Sequence, residues 1–105
     1  GLVERARRIG ELMLGRLREL AAKYDIIGDV RGRGAMVAIE LVKDADKTPN
    51  PEALGKVLSH AHKQGLILLS AGTYGNVIRM LPPLVISDEL LNEGLDILDE
   101  AFARL

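Results

Sequence analysis

Seven apolar residues, Leu2, Ala6, Ile9, Met13, Leu17, Leu20 and Tyr24, recur at steps of three and four. They commit the start of the chain to one amphipathic helix of about six turns. A stripe of that length has to be covered, either by a sheet built from the remaining residues or by a neighbour outside the chain. Glu4/Arg8 and Glu19/Lys23 are spaced for i,i+4 pairs on the polar faces. Gly10 and Gly15 each weaken a helix interior by about 1 kcal/mol relative to Ala. Close approach of another segment is the expected reason for them.

After Asp25 the period changes. Val37, Ile39 and Leu41 alternate with Met36, Ala38 and Glu40, which predicts a strand, and the polar KDADKTPNP that follows reads as a loop. Asn50 is a good N-cap with Pro51 at N1 and Glu52 in the first turn. The helix so begun buries Leu54, Val57, Leu58 and Ala61, carries Lys63 in its last turn and stops at Gly65. LILLS, residues 66–70, predicts an apolar strand, AGTYGN a glycine-rich turn, and VIRML a strand stopped by Pro82 and Pro83. Ser87 caps a last helix with Asp88 and Glu89 in its first turn. Its inner face holds Leu91, Gly94, Leu95, Leu98, Phe102 and Leu105. The predicted order is α-β-α-β-β-α: an α+β fold with a small, mostly antiparallel three-stranded sheet, helices on one face and a long N-terminal helix.

At 105 residues the chain is one domain, spanning 1–105, and its 48% hydrophobic content is that of a globular protein. A net charge of −1 gives no reason to expect nucleic acid or an anionic membrane as partner. The charge is uneven: Arg5, Arg7, Arg8, Arg16, Arg18 and Lys23 crowd the first helix, and acidic residues crowd 88–104. The two ends are expected either to attract each other or to serve different partners. With no cysteine, thiolate chemistry and disulfides are excluded. His60 and His62 cannot share a helix face, so no metal site is expected. No apolar run approaches the roughly 20 residues that cross a bilayer, and no secretory signal is visible, so a cytoplasmic protein is expected. A start at Gly1 inside a helical pattern is expected of a piece of a longer chain.

Four candidate sites emerge. The glycines of VRGRGAM precede a strand where a dinucleotide fingerprint would follow one, so a turn with positive φ or close backbone approach at Gly32 and Gly34 is the better reading. Arg31 and Arg33 are then solvated or paired. His60 and His62 have no nucleophile or orienting carboxylate at a recognisable spacing and read as helix-surface residues. Ser70, Thr73 and Tyr74, around Gly72 and Gly75, fit a ligand-binding turn and a tight polar hairpin equally well. Arg79 is the sharpest candidate. It shares strand parity with Val77 and Leu81, and a guanidinium in apolar surroundings needs a partner. That partner is either an internal carboxylate, for example Glu40 on the neighbouring strand, or the carboxylate of a ligand held by the planar fork.

GDVRGRGAMVAIELV, KQGLILLSAGTYGNVIRMLPPLVIS and the terminal helix resemble the C-terminal small domain of the class III (omega) aminotransferases, pyridoxal-phosphate enzymes of fold type I. Within that family LILLSAGTYGNVIR most resembles the 4-aminobutyrate aminotransferases. The resemblance covers essentially the whole chain, and it assigns Arg79, the arginine of the NVIR segment, to the substrate's carboxylate. It implies a parent that moves the amino group of 4-aminobutyrate to 2-oxoglutarate in a ping-pong cycle, as a homodimer formed chiefly through its large domain. The Schiff-base lysine, the carboxylate facing the pyridine nitrogen and the phosphate site belong to that large domain. No catalytic, cofactor-binding or metal-binding residue is therefore expected in 1–105, where none of the five lysines sits in a desolvating context. On this reading the isolated chain holds no pyridoxal phosphate, is inactive, and self-associates through apolar surface that the parent covers. The alternatives are a stand-alone α+β module that binds a small carboxylate or regulates without catalysis, and a purely structural interaction domain. The last requires Arg79 to be paired internally.

Overall fold

The computed structural model describes residues 1–64, 69–71, 75–83 and 85–105. The stripe on the first helix becomes α1 (Leu2–Lys23), which buries Ile9, Met13, Leu17 and Leu20. Strands β1 (Ile27–Arg33) and β2 (Met36–Leu41) follow as a hairpin, then α2 (Pro51–Lys63), β3 (Leu69–Ala71), β4 (Val77–Met80) and α3 (Asp88–Ala103). The α+β class and the antiparallel pairing are as expected. The sheet, however, has four strands rather than three, in the order β1-β2-β4-β3. The extra strand is β1, formed by the segment read as a turn. Only its last link, Gly34–Ala35, turns the chain, with Gly34 at φ +58°.

Alternation along the strands decides which face is covered. Val37, Ile39 and Leu41 of β2 and Ile78 of β4 are fully buried, and Ile39 pairs with Ile78. They join α1, α2 and α3 in one core cluster that includes Leu17, Val57 and Leu98. Asn50 caps α2 by accepting the Ala53 N–H, and Ser87 caps α3 by accepting that of Leu90, as the sequence predicts. Position 65, the expected stop of α2, lies outside the described residues, as does most of the predicted strand 66–70.

The charge asymmetry resolves into a seam between α1 and α3. Arg8 pairs with Asp88, Arg16 Nη2 donates to Asp96 Oδ1 at 2.6 Å, and Lys23 Nζ donates to Asp99 Oδ2 at 2.9 Å. Arg8 and Lys23 thus reach across to α3, in place of the intrahelical partners expected at Glu4 and Glu19. An exposed i,i+4 pair is worth only a few tenths of a kcal/mol, so a well-placed tertiary carboxylate outcompetes it. The seam closes where Tyr24 stacks on Phe102, 5.7 Å between ring centroids, and donates its hydroxyl to Asp99 Oδ1 at 2.7 Å.

Those contacts make stability depend on pH. The Tyr24 hydroxyl first, and then the Lys23 ammonium, hold the Asp99 carboxyl below the usual carboxylate range. A carboxylate with a depressed pKa contributes stability that is present above its unfolded value, about 3.9, and lost as pH falls through the folded value. Thermal melts of Asp99→Asn are therefore expected to decline less steeply than wild type below about pH 4. Parallel acid limbs would mean that Asp99 is not held in this way.

Candidate functional site

Strand β4 lies inside the sheet, between β2 and β3, so a side chain on its open face stands over the middle of that surface. The register places Arg79 opposite Ala38 and Val77 opposite Glu40, which puts Val77, Arg79, Ala38 and Glu40 on one face and Ile78 and Met80 on the core face. Across β1 the same face carries Asp29, opposite Glu40, and Arg31, opposite Ala38. Arg79 is exposed there, whereas Val77, its neighbour on the same face, is buried. The strand's position is fixed just before it by Asn76, a buried polar residue that the sequence reading passed over. Its carbonyl accepts from Leu41 N at 2.8 Å and its side-chain Nδ2 donates to Leu41 O at 3.0 Å. The same Leu41 carbonyl accepts from Asn50 N, tying the start of α2 to β2 and β4.

The internal partner considered for Arg79 is committed elsewhere. Glu40 Oε2 lies 3.4 Å from Arg31 Nη1, which also donates to Asp29 Oδ2 at 2.9 Å. Among the described residues Arg79 has no ion pair. The apolar surroundings expected for Arg79 are thus corrected: its guanidinium is exposed, where water can satisfy it, and the internal pair that the purely structural reading requires is not seen among the described residues. Arg31 is paired, one of the two outcomes expected of it.

The other candidates are not brought to this face. His62 is exposed, but His60 is mostly buried on the side of α2 that faces α3, its Nε2 without a hydrogen bond among the described residues and 3.8 Å from Glu100 Oε1. The surface position expected for His60 is thus corrected: Ala61 and Val57 face the core, and the seam with α3 extends over His60. Thr73, Tyr74 and Gly72 lie outside the described residues, and of Ser70 only the backbone is described, paired with Ile78. Gly75 has φ +62°, a left-handed position suited to glycine.

The lysines do not fit the demands of a cofactor imine. Lys43, Lys47, Lys56 and Lys63 are exposed, and the bond to Asp99 raises the pKa of Lys23, the opposite of what a nucleophilic amine needs. Among the described residues no group of three or more His, Cys, Asp or Glu could hold a metal ion, and no helix is long and apolar enough to cross a membrane.

The α+β class of this sheet and its helices is the one implied by the aminotransferase resemblance. The chain matches the family Aminotransferase class-III over residues 1–102, and it belongs to that family. It is 57% identical over 98 residues to the 4-aminobutyrate aminotransferase of Mycobacterium leprae, covering 93% of this chain and 22% of that protein. It is 50% identical over 104 residues to the 5-aminovalerate aminotransferase of Pseudomonas putida, covering 99% of this chain and 24% of that protein. Among solved structures, an amine transaminase from an uncultivated Pseudomonas species in its pyridoxal-phosphate-bound form superposes with a TM-score of 0.83 at 31% identity, covering 98% of this chain and 23% of that one. The chain spans about a quarter of the length of the relatives it matches.

Proposed function

We propose that this chain is the C-terminal small domain of a pyridoxal-phosphate-dependent aminotransferase of the 4-aminobutyrate type, and that Arg79 is its ligand for the substrate carboxylate. The observation that carries the reading is the exposed guanidinium of Arg79 on the open face of a central strand, with the nearby Glu40 already held by Arg31. A carboxylate arriving over that face meets a planar fork that can donate two parallel N–H···O bonds. The strand behind the fork is anchored by the Ile39–Ile78 pair and by the Asn76–Leu41 clamp, so it holds its ligand with little freedom. In such an enzyme pyridoxal phosphate supplies the aldehyde that takes up the substrate's amino group. The lysine for it has to come from outside this chain. Arg79 would serve both halves of the reaction, because the amino acid and 2-oxoglutarate each present a carboxylate, and fixing one end of the substrate orients its reacting end.

The test is Arg79→Lys in the full-length enzyme. Loss of the fork is expected to lower kcat/KM for both 4-aminobutyrate and 2-oxoglutarate by about 10- to 100-fold, the equivalent of one charge-assisted hydrogen bond. Values unchanged for both substrates would remove Arg79 from the site. A wild-type enzyme with a higher kcat/KM for 5-aminovalerate than for 4-aminobutyrate would shift the substrate assignment to the longer amino acid.

A further inference from the structure

Asn76 shares strand parity with Ile78 and Met80 and is 2% exposed, the only buried polar side chain among the described residues. Burying an amide is unfavourable unless it is hydrogen-bonded, and an apolar side chain of like size would pack there more easily. What the amide adds is a bond of fixed direction. Val77 stands opposite Glu40, which puts Asn76 opposite Leu41, and the Asn76 carbonyl accepts from Leu41 N at 2.8 Å. In such a pair the two residues exchange bonds. Here the bond to the Leu41 carbonyl comes from the Asn76 side chain, with Nδ2 at 3.0 Å. Asn50 N donates to the same oxygen at 3.0 Å, so its two lone pairs join the start of β4 to the N-cap of α2. Just before this node Gly75 stands at φ +62°. Strand β4 is only four residues long, and Arg79 is the third of them.

We infer that the Asn76 side chain is a positioning residue for Arg79: by fixing where β4 begins, it fixes where the guanidinium is presented on the opposite face. The inference rests on the reading of Arg79 as a carboxylate ligand, and it holds whichever substrate brings that carboxylate. Without the amide, the first pair of the strand keeps its backbone bond alone, beside a glycine, and the end of so short a strand frays. The Leu41 carbonyl still has Asn50 N, so no acceptor is left bare in the core and the fold survives. The loss falls on placement instead. A displacement of about 1 Å can lower a rate by about 100-fold. A strand start that frays part of the time, with Ile78 still seated in the core, lowers kcat/KM less, by about three- to tenfold.

The experiment is a double-mutant cycle in the full-length holoenzyme, with Asn76→Ala, Arg79→Lys and the two combined, read as kcat/KM for 4-aminobutyrate and for 2-oxoglutarate. Asn76→Ala is expected to lower kcat/KM about three- to tenfold for whichever substrate Arg79→Lys impairs, and for no other. In the Arg79→Lys background the same change is expected to cost less than about twofold, because lysine has no fork to aim. A merely structural role for Asn76 would give the same factor in both backgrounds, and that result overturns the inference, as does an Asn76→Ala enzyme with wild-type kcat/KM. If Asn76→Ala is not recovered folded, Asn76→Ser, which keeps a short hydrogen-bonding side chain, goes through the same cycle; failure of both to fold would make Asn76 part of the scaffold and overturn its positioning role. Arg79→Lys by itself separates the two levels. If it leaves kcat/KM unchanged for both substrates, the carboxylate reading fails, whereas if it impairs the enzyme while Asn76→Ala does not, only the role of Asn76 fails.

Discussion

Gly10→Ala is expected to destabilise the chain by about 3 kcal/mol, although the same change in an isolated helix would stabilise it by about 1 kcal/mol. Gly10 is buried on α1 where the helix crosses the β1–β2 turn, and a Cβ there would be driven into the carbonyl oxygen of Gly34. The obstacle is backbone, in a turn whose glycine is held at φ +58° between two paired strands, so it cannot move aside by a change of rotamer. The helix would have to lift, and Ile9, Met13 and Leu17 would lift with it from the core they share with the sheet. Gly15 is the control. A Cβ at Gly15 meets nothing within 4 Å among the described residues, so Gly15→Ala should raise stability by up to about 1 kcal/mol through propensity and unfolded-state entropy. Urea denaturation of the two variants checks both signs. A neutral or stabilising Gly10→Ala would mean that α1 does not seat on the hairpin in this way.

That contrast also marks what a sequence reading can reach. The stripe from Leu2 to Tyr24 is a local regularity, and α1 follows from it, although at its first residue the stripe is not covered: Leu2 is 70% exposed. Two glycines in that helix look alike in sequence. Only the position of the β1–β2 turn makes one of them obligatory. Strand β1 was hidden because Gly28, Asp29 and Gly32 are poor strand formers, and a bulge between Ile27 and Asp29 breaks its alternation. It is a strand because β2 offers it a ladder, a non-local cause that composition does not carry.

At the candidate site, the oddity of one arginine in an apolar run was legible, and so was its parity with Val77. The identity of its competitor was legible too, since Glu40 lies in a neighbouring strand of obvious period. The outcome of the competition was not, because it depends on Arg31 and Asp29 being brought beside Glu40 by β1. The charge imbalance between the two ends of the chain was a better guide, since Asp88, Asp96 and Asp99 of the acidic α3 meet the basic α1 once the helices pack side by side.

The second large effect is expected on the opposite side of the strand that carries Arg79. Ile78 is fully buried and pairs with Ile39, itself fully buried, at the centre of the core. Ile78→Ala removes three carbons from a site ringed by packed elements that cannot collapse into the gap, and is expected to cost about 3–4 kcal/mol, with Ile78→Val costing about 1 kcal/mol. Arg79→Gln changes an exposed side chain with no internal ion pair among the described residues, and should move stability by no more than about 0.5 kcal/mol. Adjacent residues on one strand would then divide the work between them, Ile78 fixing where the strand lies and Arg79 meeting what arrives over it. Chemical denaturation of the three variants measures the division. If Arg79→Gln cost as much as Ile78→Ala, the arginine would be part of the scaffold, and its claim on a ligand carboxylate would have to be given up.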